Sequence, residues 1–378
     1  MVSAKTLNQV EFILRKTRNS EKIFGGIQVV LCGDFYQLPP VANELYGDQG
    51  KHCFNAVYFD KTFPHRVNLH TVYRQTEQDL ISAVNELAQG SVSDATKAII
   101  LSLNRPLPAQ IDVQDIVYLF CRNVDADIHN YKVITDIPGD LVTFTSEDTG
   151  DNHYLSKMLA SKHLGVKVGV KVILLTNLSD DLVNGKMGIV QRIEGDLIYA
   201  TFTINGKDSI YPIRKFTFTT YDPVTRSILS KRVQFPLKPS YGLTIHKSQG
   251  MSLKYVVVDC QNCFIPGQIG VAVGRATSVE GLKILNFKSS HVIQHHQSVY
   301  AYYKTCNVGN LIPNKSCCQG HTYNEDQDRD DREDLVGEDI GDDDDDDDDD
   351  DDPSTVNTRT EGDTGQVESD SDFSDFPY

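Results

Sequence analysis

Four short strings gather the residue types that handle phosphate chemistry. The first is Gly33-Asp34-Phe35-Tyr36-Gln37-Leu38-Pro39-Pro40-Val41. It follows the apolar run Ile27–Cys32, and a double proline after a strand end stiffens a loop that can present Asp34 and Gln37. The second, Val72-Tyr73-Arg74-Gln75, places one guanidinium just before a helical pattern. Alone, Arg74 reads equally well as a surface pair. The third, Leu243-Thr244-Ile245-His246-Lys247-Ser248-Gln249-Gly250, is dense in hydroxyl, imidazole and ammonium donors. Phosphate oxygens accept from such groups and from backbone amides, and a polar-capped helix start would use the same residues. In the fourth, Gly270-Val-Ala-Val-Gly274-Arg275-Ala276-Thr277-Ser278, an apolar stretch flanked by small residues leads to Arg275. A buried helix could aim that guanidinium at a neighbouring phosphate.

The elements that must position these strings are readable from periodicity. Residues 3–18 read as an amphipathic helix with Leu7, Val10 and Leu14 on one face. The run Ile27–Cys32 reads as a fully buried parallel strand, so Asp34 would lie at a strand's carboxyl end, where open α/β sheets bind ligands. Leu80, Ile81, Val84 and Leu87 repeat at helical spacing up to Gly90, and Ser93 or Asp94 caps a further helix through Leu103. From Val166 to Gln234 the pattern becomes β. Val170–Leu175 predicts a strand, Asn184-Gly185 a turn, and Leu197–Ile204, Asn205-Gly206 and Ile210–Ile213 a hairpin. These short strands predict a small barrel inserted in an α/β domain. Tyr255–Val258 and Lys283–Phe287 return to parallel-strand texture.

Charge divides the chain in two. His321–Tyr378 carries 26 acidic and 3 basic residues, a net of −23 within a chain total of −17, so residues 1–320 are net positive by 6. A mildly basic body is compatible with backbone binding to a nucleic acid. The unbroken Asp342–Asp352 run repels itself and predicts a disordered tail, solubilising or able to attract basic proteins. No signal-peptide pattern and no apolar run near membrane length is present, and with eight Cys the composition predicts a soluble, intracellular, reduced protein with no membrane partner. Cys260 and Cys263 form a CxxC without a second pair, and Cys306, Cys317, Cys318 and His321 lack ligand spacing, so free thiols are expected rather than a metal site.

Taken together, GDFYQLPPV, VYRQ, LTIHKSQG and AVGRATS resemble motifs III, IV, V and VI of the Pif-type (petite integration frequency) superfamily-one DNA helicases, in order, from Met1 to about Phe287. LGVKVGVKVILLTNLSDDLVNGKMGIV resembles the stretch leading into that family's inserted barrel. The resemblance implies an α/β P-loop NTPase (RecA-like) fold: residues 1–66 the end of a first RecA-like domain, 67–165 and 236–290 a second, 166–235 the barrel, and 291–378 linker and tail. It also implies a monomeric ATP-dependent motor moving 5′ to 3′ on single-stranded DNA in repair, recombination and telomere maintenance, in the nucleus or the mitochondrion. On this resemblance Gln37 senses the γ-phosphate, Arg74 and Arg275 reach it from the second domain, and Gly250 lies at the nucleotide. Thr244, His246, Lys247, Ser248 and Gln249 contact the DNA backbone, and Asp34 supports the motif III loop.

ATP with Mg²⁺ needs GxxxxGK[ST] and an acidic metal ligand. The Gly-Lys pairs here are followed by His52, Met187 and Asp208, so none fits. Because the family's Asp-Glu pair lies just upstream of a Ser-Met, Met1 is expected to stand immediately after those carboxylates. Residues 1–66 are then expected to expose an unpaired sheet edge and to be weak alone, and the chain by itself to hydrolyse little ATP.

Overall fold

The strands Gly242–Thr244, Val117–Phe120, Val256–Asp259 and Leu282–Leu285 lie side by side in that order, every pair parallel. Their residues are apolar on both faces, as a sheet covered on both sides requires. The computed structural model describes residues 1–308. Helices Gln78–Gln89, Asp94–Ser102 and Gln268–Val273 supply Leu80, Leu87, Ile100, Ile269 and Val273 to the core shared with Val256, Val258 and Ile284. Local signals place the helix ends. The Ser93 hydroxyl accepts from the Thr96 N–H, and Gly90 closes the preceding helix in the left-handed region at φ 78°. The sheet edge at Gly242 is closed by a side chain: buried Asn130 donates to the Gly242 carbonyl and accepts from its N–H, at 2.9 and 2.7 Å.

Between the first and second of these strands in chain order, Val117–Phe120 and Gly242–Thr244, lies the β module. Leu237–Pro239, Lys171–Leu174, Met187–Glu194, Leu197–Ile204 and Lys207–Ile213 form an antiparallel five-stranded sheet. The hairpin at Asn205-Gly206 has φ of 50° and 77°, the conformation a two-residue turn needs to match strand twist. The module is wider than its sequence pattern predicts, because Val142–Thr145 pairs with His163–Val166, and Glu147–Gly150 joins Ser227–Gln234 and Phe216–Asp222. Its β structure falls into three sheets rather than one continuous sheet, and the five-stranded sheet and the Val142–Thr145/His163–Val166 pair share a core around Phe202, Phe235 and Val190.

The polar lock of this module is Arg232, buried, which donates to both Asp148 oxygens at 2.8 and 2.6 Å and to the Ala160 carbonyl at 2.7 Å. The guanidinium, bonded to it, holds the Asp148 carboxyl below its ordinary value. Such a depressed acid stabilises the fold above about pH 4, and the contribution is lost as pH falls through the lowered value. Arg232→Ala is expected to destabilise the module by about 3 kcal/mol, since it leaves a largely buried carboxylate uncompensated. The measurement is the denaturant midpoint at pH 7 and pH 3. A wild-type midpoint at pH 7, or a loss equally large at both, counts against the pair.

Three expectations are corrected. Residues 27–33 form no strand, and Val30 is 75% exposed. A strand exists only through its neighbours' backbone, and none flanks this run among the described residues. The Ala4–Thr17 helix is present, but its buried face is Ala4, Leu7, Glu11 and Arg15, while Val10 is exposed. The face turns because Glu11 pairs with Arg15 at 3.1 Å and accepts from the Phe24 N–H, drawing both charges inward. Finally, Cys121 and Cys263 are joined as a disulfide with Cα atoms 5.3 Å apart, where composition predicts reduced thiols. Each follows one of two adjacent parallel strands, so both emerge at the same sheet end. Cys260 remains a buried free thiol, pushed up to about 12 by burial.

Residues 291–308, expected as linker, are folded. The helix Gln297–Lys304 packs Tyr302 and Tyr303 on Phe35, Phe54 and Phe59, and Asn307–Val308 pairs in parallel with Val67–Asn68. Cys306 lies on this segment, whereas Cys317, Cys318, His321 and Asp342–Asp352 fall outside the described residues. Among the described residues no group of three or more His, Cys, Asp and Glu gathers, and no helix is long and apolar enough to cross a membrane.

Candidate functional site

The loop after Gly33 is tied by its own aspartate. Asp34 accepts from the Tyr36 N–H at 2.9 Å and from the Gln37 carboxamide at 3.3 Å. Gln37 in turn accepts from Gln249 Nε2 at 3.0 Å, a contact 212 residues apart in sequence. The loop therefore meets the Leu243–Gly250 string at its last polar side chain. It also rests on the Gln268–Val273 helix. Gly267, at φ 72°, caps that helix so closely that a β-carbon there would lie 2.3 Å from the Tyr36 carbonyl oxygen.

Arg275 follows the same helix and is buried. Its Nε donates to the Val271 carbonyl at 2.9 Å and Nη1 to the Met251 carbonyl at 3.4 Å. Arg74 joins it from the other side, donating to the Gly274 carbonyl at 3.2 Å and to Ser252 Oγ at 3.0 Å. Burial, and then the like charge of Arg74, bring Arg275 down to about 10, while Asp34 acts the other way. Arg275 still carries its charge at neutral pH. Neither arginine forms an ion pair among the described residues. Two adjacent guanidiniums held by carbonyls and lacking a carboxylate partner are a ready site for a polyanion such as the outer phosphate of a nucleotide.

Of the remaining predicted residues, Thr244 ends the edge strand and is buried, and Ser248 is buried with its hydroxyl donated to the Ile245 carbonyl at 2.9 Å. The Ser248 bond closes the Ile245–Ser248 turn, whereas the Thr244 side chain caps nothing there. His246 and Lys247 are half-buried. Burial first, then Lys238, lower Lys247 to about 8, with Asp127 opposing, and Lys238 itself pairs with Asp127 at 2.5 Å. Burial also lowers His246. Gly250 is exposed at φ 90°, with open space around its α-carbon. Asp34, Gln37, Gln249, Arg74 and Arg275 thus converge. Lys247 sits two residues before Gln249, on the flank facing Lys238 and Asp127.

Sequence reasoning missed one participant. Tyr303 donates to Asp34 Oδ1 at 2.7 Å and accepts from the Phe35 N–H at 2.9 Å. The aromatic run Tyr300, Tyr302 and Tyr303 at helical spacing was the available signal.

A parallel α/β sheet with a β insertion, and polar loops converging at its strand ends, defines a RecA-like helicase core. The description "PIF1-like helicase" matches residues 1–97, and "DNA helicase Pif1, 2B domain" matches residues 152–193. The crystal structure of Pif1 helicase from Candida albicans is similar at 34% identity with a TM-score of 0.72, covering 80% of this chain and 73% of that one. The chain belongs to the Pif1-like helicase family. The Pif1 helicase from Bacteroides in complex with ADP-AlF3 and ssDNA is similar at 25% identity and TM-score 0.70, over 80% of this chain and 72% of that one. The ATP-dependent DNA helicase PIF1 of Rattus norvegicus is 32% identical over 322 residues, 82% of this chain and 48% of that protein. The chain spans about half the length of the curated relatives it matches.

Proposed function

We propose that this chain carries motifs III to VI of an ATP-dependent 5′-to-3′ DNA helicase of genome maintenance, acting on single-stranded DNA in the nucleus. The observation that carries the reading is the meeting of Gln37, Gln249 and the paired Arg74 and Arg275 in one cluster, contributed by segments far apart in sequence. The residues present fit the outer-phosphate side of ATP. Arg74 and Arg275 would hold its charge and Gln37 would register its presence, while Asp34 keeps the Gln37 loop in place. ATP supplies the phosphoanhydride bond whose hydrolysis drives movement. The sequence holds no GxxxxGK[ST], so no role is assigned to this chain in gripping the inner phosphates or Mg²⁺. Gln249 couples this cluster to the Ile245–Ser248 turn, where His246 and Lys247 face the DNA backbone. The experiment is unwinding of a 5′-tailed against a 3′-tailed duplex by the native full-length protein with ATP. Unwinding of neither substrate, or of the 3′-tailed one alone, sinks the reading.

A second reading is single-strand binding without turnover, favoured by Lys247, a half-buried ammonium that forms no ion pair among the described residues. Affinity for a labelled oligonucleotide is expected to fall with salt, with a slope near −0.7 per phosphate contact, and Lys247→Ala to reduce the slope by about 0.7. Because Lys247 is lowered to about 8, wild-type affinity is also expected to weaken between pH 7 and 9 as its charge is lost, and the Lys247→Ala protein to lack that step. Salt-independent affinity excludes backbone binding. Basic proteins remain the partners expected for Asp342–Asp352.

A further inference from the structure

The helix Gln297–Lys304 lies beyond the last helicase motif, yet it touches the first one in the chain. It is fastened on two sides. On one, Tyr300 donates to the Gln89 carbonyl at 2.8 Å and the His295 ring meets the Ala88 carbonyl at 2.7 Å, both at the end of the Gln78–Gln89 helix. Gly90 is packed there so tightly that a β-carbon would lie 2.7 Å from the Ile293 carbonyl oxygen. On the other, the Tyr302 ring stacks on Phe54 at 5.1 Å, the Arg66 guanidinium lies 5.2 Å from its centre, and Arg66 donates to Thr305 Oγ1 at 2.8 Å. The segment is a strap between the residues before the second-domain sequence and the first helix within it.

At the middle of the strap stands Tyr303. Its ring stacks on Tyr36 at 4.1 Å with planes 10° apart. Its hydroxyl uses both capacities, donating to Asp34 Oδ1 and accepting from the Phe35 N–H. Burial, and then the charge of Asp34, push its ionisation well above the ordinary phenol range, so the proton stays in place as a donor. Asp34 Oδ1 also takes the Tyr36 N–H, while Oδ2 takes the Gln37 carboxamide. An unbroken chain of hydrogen bonds thus runs from Tyr303 through Asp34 and Gln37 to Gln249. We propose that Tyr303 is a positioning residue for the motif III loop, holding the Asp34 carboxylate so that Gln37 stays set against Gln249 and the arginine pair. Its effect on turnover rests on the helicase reading above, while its hold on the loop does not.

The test compares Tyr303→Phe with wild type in the native full-length protein. Tyr302→Phe is the matched control, since Tyr302 packs its ring on Phe35 but gives no hydrogen bond to Asp34. Hydrogen exchange of the peptide covering residues 33–40 is expected to be about tenfold faster in Tyr303→Phe, from loss of one bond to a charged group and one to an amide. Exchange at Val256–Asp259 should stay unchanged. DNA-stimulated ATP hydrolysis is expected to lose about fivefold in kcat, with KM for ATP and single-strand affinity within twofold, and Tyr303→Phe should add nothing on an Asp34→Ala background. Unchanged exchange at 33–40, or a rise spread equally through Val256–Asp259, overturns the proposal. So does faster local exchange with wild-type kcat, or a kcat loss fully additive with Asp34→Ala. If wild type itself shows no DNA-stimulated hydrolysis, the helicase reading is what fails, and the exchange comparison still decides whether Tyr303 holds the loop.

Discussion

Replacing Arg275 with alanine is expected to cut DNA-stimulated ATP hydrolysis about 10³-fold in the full-length protein, the lower end of what a phosphate-facing arginine supplies. Single-strand affinity should stay within twofold, because the groups proposed to face the DNA lie on the neighbouring Ile245–Ser248 turn. The expectation follows from how the side chain is held. Nε is tied to the Val271 carbonyl one turn back on the helix it follows, and Nη1 reaches the Met251 carbonyl. Those bonds orient the fork while leaving its charge without a carboxylate. Lysine should fail nearly as completely, since an ammonium carries all its donors on one nitrogen and cannot keep the Val271 tether while also reaching a phosphate. Steady-state hydrolysis with fluorescence anisotropy of a labelled oligonucleotide reads both quantities. An Arg275→Ala protein that hydrolyses ATP at the wild-type rate would show that the guanidinium serves only packing.

Gly267→Val is expected to be the most damaging single change to the relation between the motif III loop and the helix that carries Arg275. Two costs combine. At φ 72° a β-branched residue is strained by about 1–2 kcal/mol. Its first side-chain carbon would also stand 2.3 Å from the Tyr36 carbonyl oxygen and 3.0 Å from that of Gln37, both backbone atoms. Relief requires the loop or the helix to move, adding about 1–3 kcal/mol. A total near 3 kcal/mol should appear in the denaturant midpoint. Turnover should drop about 10²-fold, the usual consequence of misplacing a reacting constellation by an ångström. Gly250→Ala is the informative contrast. It too has positive φ, but open space surrounds it, so strain alone should act. Equal effects of the two changes would argue that conformation, not contact with the loop, is what Gly267 provides.

The elements that sequence pattern places correctly are those whose cause is local. Ser93 caps its helix, Gly90 ends the one before, and Asn205-Gly206 turns the Leu197–Ile204 strand back on itself, each through the backbone conformation of a few neighbouring residues. Where pattern and structure part, a distant partner decided the outcome. Ile27–Cys32 has the composition of a buried strand but no ladder to join among the described residues. Val10 has the spacing of a core residue, yet Glu11 is drawn inward by the Phe24 N–H, 13 residues on, and turns that helix face instead. The β module reaches back to Glu147 because Asp148 is claimed by Arg232, 84 residues later, and to Val142 because that strand pairs with His163–Val166.

The candidate site divides the same way. By itself the sequence singled out the candidates: Asp34, Gln37, Arg74, the Thr244–Gly250 string and Arg275 are legible from type, spacing and order. It also determined the split between a mildly basic body and an acidic end. Only the tertiary structure decided that Gln37 meets Gln249, that Thr244 and Ser248 turn inward while Lys247 stays half-exposed, that Cys121 meets Cys263, and that Tyr303 grips Asp34. The physical reason is range. Propensity, capping and turn chemistry act over a few residues, whereas these contacts join positions more than 140 apart and arise only when packed elements bring them within bonding distance.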